Sequence, residues 1–260
     1  MFNKFNFESL WMLLAGVVLF VLAALLGKAV RAYQDRQEIV ADDVVKIVLG
    51  ATLSLFGLLL GFLLSFAIAG YNTRMQAEEN EAFAIGHAMQ RAALLQAHEQ
   101  SAAEGMLKDY LQERILFFGT ADPQERQQAR RLSSQLQTRM WLLLSKQARA
   151  NPSALHTSLL DACDALYLAQ QKTLSSWRAQ IPAPAWALAI IFALCSNFLI
   201  GYTVHGVRGN YALVTVLPFL IALSLYVIAQ IDVPGEGLIH VLPDNMRALH
   251  EMISDPQRSL

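Results

Sequence analysis

SLWMLLAGVVLFVLAALLG (9–27) and VVKIVLGATLSLFGLLLGFLLSFAIA (44–69) form one pair of long apolar runs, and residues 184–203 and 211–231 form another. Each run is close to the roughly 20 residues that a helix needs to cross about 30 Å of hydrocarbon, and none has a charged residue in its central part. A polar stretch, 71–182, separates the pairs. The layout predicts an all-α membrane protein: four transmembrane helices in a 2+2 arrangement, with a helical extramembrane insert between the second and third. The expected divisions are 1–70 for the first helix pair, 71–182 for the insert, 183–231 for the second pair and 232–260 for a C-terminal loop and short helix. Lipid is then the main partner of the chain.

Composition agrees with that placement. Hydrophobic residues make up 55% of the chain and charged residues only 16%, against about a quarter in ordinary soluble domains, and the mean hydropathy is +0.35. A net charge of −1 argues against nucleic acid as a partner. The two cysteines, Cys163 and Cys195, have neither metal-site nor disulfide-framework spacing, so neither metal nor cofactor is expected. Lys4 precedes the first run as it would in a secretory signal, but the apolar core is too long, and Lys28 and Arg31 crowd any cleavage site. An even number of spans puts both termini and the insert on one face. Lys28, Arg31, Arg36, Lys46 and Arg208 on the loop face are balanced by Lys4, Arg74, Lys172, Arg178 and Arg247 opposite, so the positive-inside rule does not choose between faces.

Nothing in the insert alternates with strand period. Leu155, Leu159, Cys163, Leu166, Gln170, Leu174 and Trp177 recur at steps of three and four, the signature of an amphipathic helix with one polar lapse. Asp122-Pro123-Gln124-Glu125 offers an N-cap, a proline at the first helical position and a reciprocal carboxylate. A further helix is expected to begin at Ser153. Ser101-Ala102-Ala103-Glu104 reads as a capping box and predicts a helix start at Ser101, with a break over Gln96–Gln100. Four helices then run away from the membrane, back, away and back, and Ile181-Pro182-Ala183-Pro184 marks re-entry, since proline is tolerated in a first turn.

In the second apolar run Gly50, Ser54, Gly57, Gly61 and Ser65 line one helical face with small residues, including a GxxxG pair. Such a face admits close approach of another helix, either within one subunit or at a seam between subunits. Pro218 predicts a kink in the fourth run.

LLGFLLSFAIAGYNTRMQAEENEAFAIGHAMQRAALL (59–95) resembles the segment that marks the bestrophin-like domain family of bacterial membrane proteins, in which a GF-containing span runs into Glu-Ala-Asn-Ala-Ile-Gly. IDVPGEGLIHV (231–241) is similar to that family's closing Asp-x-Pro-x-x-Gly-x-Ile-x-Val element. The shared positions are Glu81, Ala82, Ile85, Gly86, Asp232, Pro234, Gly237, Ile239 and Val241. The chain departs from the family pattern at Phe83, where Asn is usual, at Val233 and His240, where Arg is usual, and at Gln230, which replaces an acid. The resemblance implies a bacterial inner-membrane protein with its insert and termini in the cytoplasm. By its distant likeness to bestrophin channels it also implies a homo-oligomer passing an anion such as chloride. Those channels carry an apolar triplet on the pore-lining second helix, and Leu58, Phe62 and Phe66 stand here at that spacing.

Both motif elements lie just beyond a span on the insert face. The segment 232–241 is therefore expected to pack on the helix at 78–91, with Asp232 or Glu236 facing Arg74 or Arg91. Asp232, Glu236, His240 and Asp244 include hard-cation donors but lack calcium-loop spacing. No HExxH, GxSxG, P-loop or dinucleotide pattern occurs. His87 with Glu81 and Arg91 on one helix is the nearest approach to acid–base machinery, and no enzyme is expected. Two functions remain open: an oligomeric anion channel with an apolar neck, and a non-conducting membrane scaffold or sensor whose insert binds a partner.

Overall fold

A computed structural model describes residues 7–35, 42–204, 211–235 and 239–254. Among them every regular element is an α-helix: α1 (Phe7–Asp35), α2 (Asp42–Ala92), α3 (Ala97–Gly119), α4 (Pro123–Ala150), α5 (Ala154–Arg178), α6 (Ala183–Thr203), α7 (Tyr211–Asp232) and α8 (Asp244–Ser254). Four helices are long and apolar enough to cross a membrane, and their apolar stretches lie in α1, α2, α6 and α7. α2 is unbroken over 51 residues, and α7 runs through Pro218.

The helices divide between two compact units. In the first, α1 packs on α6 and α7. Phe20, Ala23 and Ala24 of α1, Ala189, Ala193, Ser196 and Asn197 of α6, and Ile221, Ala222 and Leu225 of α7 are buried. The α1–α6 crossing is closest at two glycines absent from the predicted packing face. A Cβ at Gly27 would lie 2.0 Å from the Phe198 carbonyl oxygen, and one at Gly201 would lie 1.7 Å from that of Ala24. With little hydrophobic drive between helices in lipid, such backbone contact supplies the dispersion energy of the crossing. Beside it Arg31 is buried and lies 5.3 Å from the centre of the Tyr202 ring, whose hydroxyl donates to Gln34. Asn197 turns its amide back onto the Ala193 carbonyl at 2.7 Å.

The second unit takes α2 from Gly70 onward together with α3, α4, α5 and α8. Ile85, Leu107, Tyr110, Leu111, Phe118, Leu159, Leu166 and Met246 fill its core. Asp122 caps α4 by accepting from the Gln124 N–H, and Ser153 caps α5 by accepting from that of His156. The reciprocal carboxylate is shifted, because Glu125 accepts from the Thr120 hydroxyl at 2.6 Å instead of from the Asp122 amide. The α3 start requires correction. The helix begins at Ala97 with Gln96 as N-cap, so Ser101 and Glu104 are interior, and Glu104 accepts from the side chain of Gln100 four residues back.

Candidate functional site

Glu81 opens the motif that follows the second apolar run, and the fold buries its side chain completely. One carboxylate oxygen accepts from the Tyr110 hydroxyl at 2.7 Å and from Arg114 Nε at 2.6 Å; the other accepts from Arg114 Nη2 at 3.0 Å and from the Thr173 hydroxyl at 2.7 Å. α2, α3 and α5 thus meet on one anion. Four donors fill the roughly four acceptor positions that a carboxylate offers, and the two Arg114 bonds form a bidentate fork. The guanidinium of Arg114 lies 4.2 Å from the Phe117 ring centre and 5.5 Å from that of Phe118, and both rings pack on Trp177. Burial works against the Arg114 charge, but the charge of Glu81 and the hydrogen bond to it outweigh that, so the proton is held more firmly than usual. Burial, then the Glu81 charge, push the Tyr110 phenol well above its ordinary value. A carboxylate saturated in this way has no lone pair left for a substrate proton, and its geometry is that of a pin between three helices.

The other motif residues surround the pin. Ala82, Ile85 and Val241 join the buried core, and Gly86 leaves room for Leu249 of α8, which a Cβ there would meet at 3.5 Å. Phe83, at the departure from the family pattern, is 56% exposed. Asp232 is buried, and its carboxylate accepts the Ile181 N–H, just ahead of α6, at 3.0 and 3.3 Å. Gly235 has φ of +76°, which favours glycine. Its carbonyl accepts from Arg126 Nη2 at 2.9 Å, while the same nitrogen donates to the Thr120 carbonyl at 2.7 Å. A Cβ on Gly235 would lie 2.7 Å from Arg126 Nη2 and 3.0 Å from Trp177. The Pro234-Gly235 pair is a turn signal that could have marked this position. Ile239 is exposed; Gly237 and Glu236 lie outside the described residues.

The element that packs on 78–86 is α8, one step later in the chain than expected, although Val241 enters the same core. Glu78 is buried and accepts from Asn245 Nδ2 at 2.7 Å and from the Met246 N–H at 3.1 Å. Burial raises the Glu78 carboxyl above its ordinary value, assisted by the charge of Asp244 and opposed by the two bonds from α8. The folded chain then holds this proton more tightly than the unfolded chain, so its contribution to stability falls as pH rises from the ordinary carboxylate value through the raised one. Glu78→Gln is expected to flatten that part of the profile in thermal unfolding of the full chain between mildly acidic and neutral pH. An unchanged slope would assign it to another group.

His87 is exposed and Arg91 half-buried, whereas Glu81 is enclosed, so the three do not form an acid–base set. Leu58, Phe62 and Phe66 are 58, 55 and 65% exposed. No atom lies within 4 Å of a Cβ built on Gly50, Gly57 or Gly61, and Ser54 and Ser65 are exposed. Packing of the small-residue face inside one subunit is therefore not what the described chain shows; α2 buries Phe56, Leu63 and Ala67 instead. Sequence reasoning missed Tyr110, Arg114 and Thr173, which share no local spacing with Glu81. Gln170, the polar lapse in the α5 stripe, was the one visible hint of a polar interior.

Among the described residues, four membrane-length apolar helices and a compact helical unit define a helical membrane protein. The family model of the Bestrophin-like domain matches residues 14–246, and the chain belongs to that family. No curated protein and no solved structure matches it.

Proposed function

We propose that the chain is one subunit of a homo-oligomeric anion channel in the bacterial inner membrane, with α2 lining the pore and chloride as the expected anion. Residues 1–70 and 183–231 are the two membrane-spanning pairs of a 2+2 arrangement, 71–182 are the extramembrane insert, and 232–260 form a C-terminal loop and short helix. The insert and both termini face the cytoplasm.

The observation that carries this reading is the exposure of α2. Only 11% of its most apolar window is buried, against 22% in α1 and 50% in α7. At 3.6 residues per turn, the Leu58–Phe62–Phe66 stripe and the Gly50–Gly57–Gly61 face are about 120° apart, and the packed face of Phe56, Leu63 and Ala67 lies about 120° from each. A helix in a ring of subunits needs these three surfaces: one toward its own subunit, one toward a neighbour and one toward the axis. A ring of Leu58, Phe62 and Phe66 makes a neck that closes by dewetting. The saturation of Glu81 speaks against enzyme chemistry at the motif.

Purified protein in liposomes is expected to pass little chloride, and combined Phe62→Ala and Phe66→Ala to raise the flux several-fold without changing oligomer size. An intact, inserted oligomer that passes no anion before or after these changes would remove the channel and leave a non-conducting scaffold or sensor.

A further inference from the structure

Between α2 and α5 the helical unit holds a groove of about 350 Å³, within the range of about 300–1,000 Å³ typical of small-molecule sites. Phe83, His87 and Arg91 line it from α2 at steps of four, on one face of that helix, and Leu168 and Lys172 line it from α5. Ala162 and Ala169, both buried, contribute only methyl groups to its wall, which leaves the groove its depth. Phe83 and Leu168 are more than half exposed, His87 and Lys172 are exposed and Arg91 is half-buried, so each of them is within reach of a ligand. No Asp or Glu lines the groove. Among the described residues, none of its three basic side chains forms an ion pair.

The helix direction brings the basic groups together. Three short turns separate α2 from α5, and each reverses the chain, so the two helices are antiparallel. A helical side chain leans toward the N-terminus of its own helix. Arg91 and Lys172 therefore lean toward one another from opposite ends of the groove, with His87 between them. A concave surface with basic groups of one sign and apolar walls concentrates anions.

We propose that this groove binds a small organic anion, its carboxylate or phosphate head beside His87 between Arg91 and Lys172, and its apolar body against Phe83 and Leu168. An inorganic anion would leave the two exposed apolar side chains uncovered, and a neutral apolar molecule would meet the basic groups without answering them. The inference does not depend on ion conduction.

The test uses the full chain in nanodiscs of zwitterionic lipid, which supply no anionic headgroup. Reductive methylation of Lys172 is timed by peptide mass spectrometry, with the exposed Lys108 and Lys146 as internal references. Benzoate, phenyl phosphate or both are expected to slow Lys172 several-fold and saturably while the references keep their rates; the stronger protector names the head group. Benzyl alcohol, a ring without charge, and inorganic phosphate, a charge without a ring, are each expected to give less than half that protection. Arg91→Gln is expected to weaken protection by the aromatic anion several-fold. Phe83→Ser, at an exposed position that leaves the core intact, is expected to remove its advantage over inorganic phosphate. Protection by neither aromatic anion, equal protection by all four probes, or an advantage that survives both substitutions would overturn the proposal. So would a Lys172 that is unreactive before any probe is added, because a neighbouring copy would then cover the groove.

Discussion

Arg114→Met is expected to destabilise the unit that holds α3, α4 and α5 by about 3–5 kcal/mol, the range for removing one partner of a buried ion pair. The loss arises from what remains. Glu81 would be left in a fully enclosed position with only Tyr110 and Thr173 to bond it, and solvent could not reach it without opening the core. Replacing both residues by methionine is expected to recover most of the loss, because no buried charge is then left uncompensated. Arg114→Lys is expected to fall between the two: the charge survives, but the planar fork that meets both carboxylate oxygens does not. Hydrogen–deuterium exchange of the α3 amides against denaturant in detergent reads all three variants. If the single and double methionine variants opened at the same denaturant concentration, the uncompensated carboxylate would not be the source of the loss.

Gly201→Ala should be nearly as damaging, in the other unit. The added carbon would sit 1.7 Å from the Ala24 carbonyl oxygen and 2.6 Å from its carbon, and backbone cannot swing aside as a side chain can. α1 and α6 must separate over the length of their crossing, at a cost of about 1–3 kcal/mol or more by analogy with overpacked cores. The readout is the yield and thermal stability of monodisperse protein in detergent. Gly105→Ala is the matched control, because nothing lies within 4 Å of a Cβ there. Equal tolerance at the two positions would mean that the α1–α6 contact is not the one that holds these helices together.

What the sequence made legible was local. The four apolar runs correspond to α1, α2, α6 and α7 because solubility in lipid is written into consecutive residues. Asp122 and Ser153 declare their caps within three positions. The same locality misleads at Ser101-x-x-Glu104, where a capping-box pattern is equally compatible with a helix interior, and only the earlier start at Ala97 separates the two. The hub at Glu81 was legible as a motif residue but not as a hub. Its donors lie 29, 33 and 92 residues away, and no periodicity connects them. Gly27 and Gly201 were passed over for a related reason. Each apolar run contains several small residues, and a single chain does not reveal which of them turns inward. The second run showed the more conspicuous glycine face, yet that face meets nothing in the described chain.

The bond between Asp232 and the Ile181 amide has a consequence for biogenesis. The acceptor is the last residue of α7 and the donor precedes α6, so the two become partners only after Asp232, 51 positions further along the chain, has left the ribosome. Until then the Ile181 N–H, ahead of a Pro182 that has none to offer, cannot have this partner. The start of α6 is therefore fixed retrospectively by the end of α7, which favours release of the two helices from the translocon as a pair.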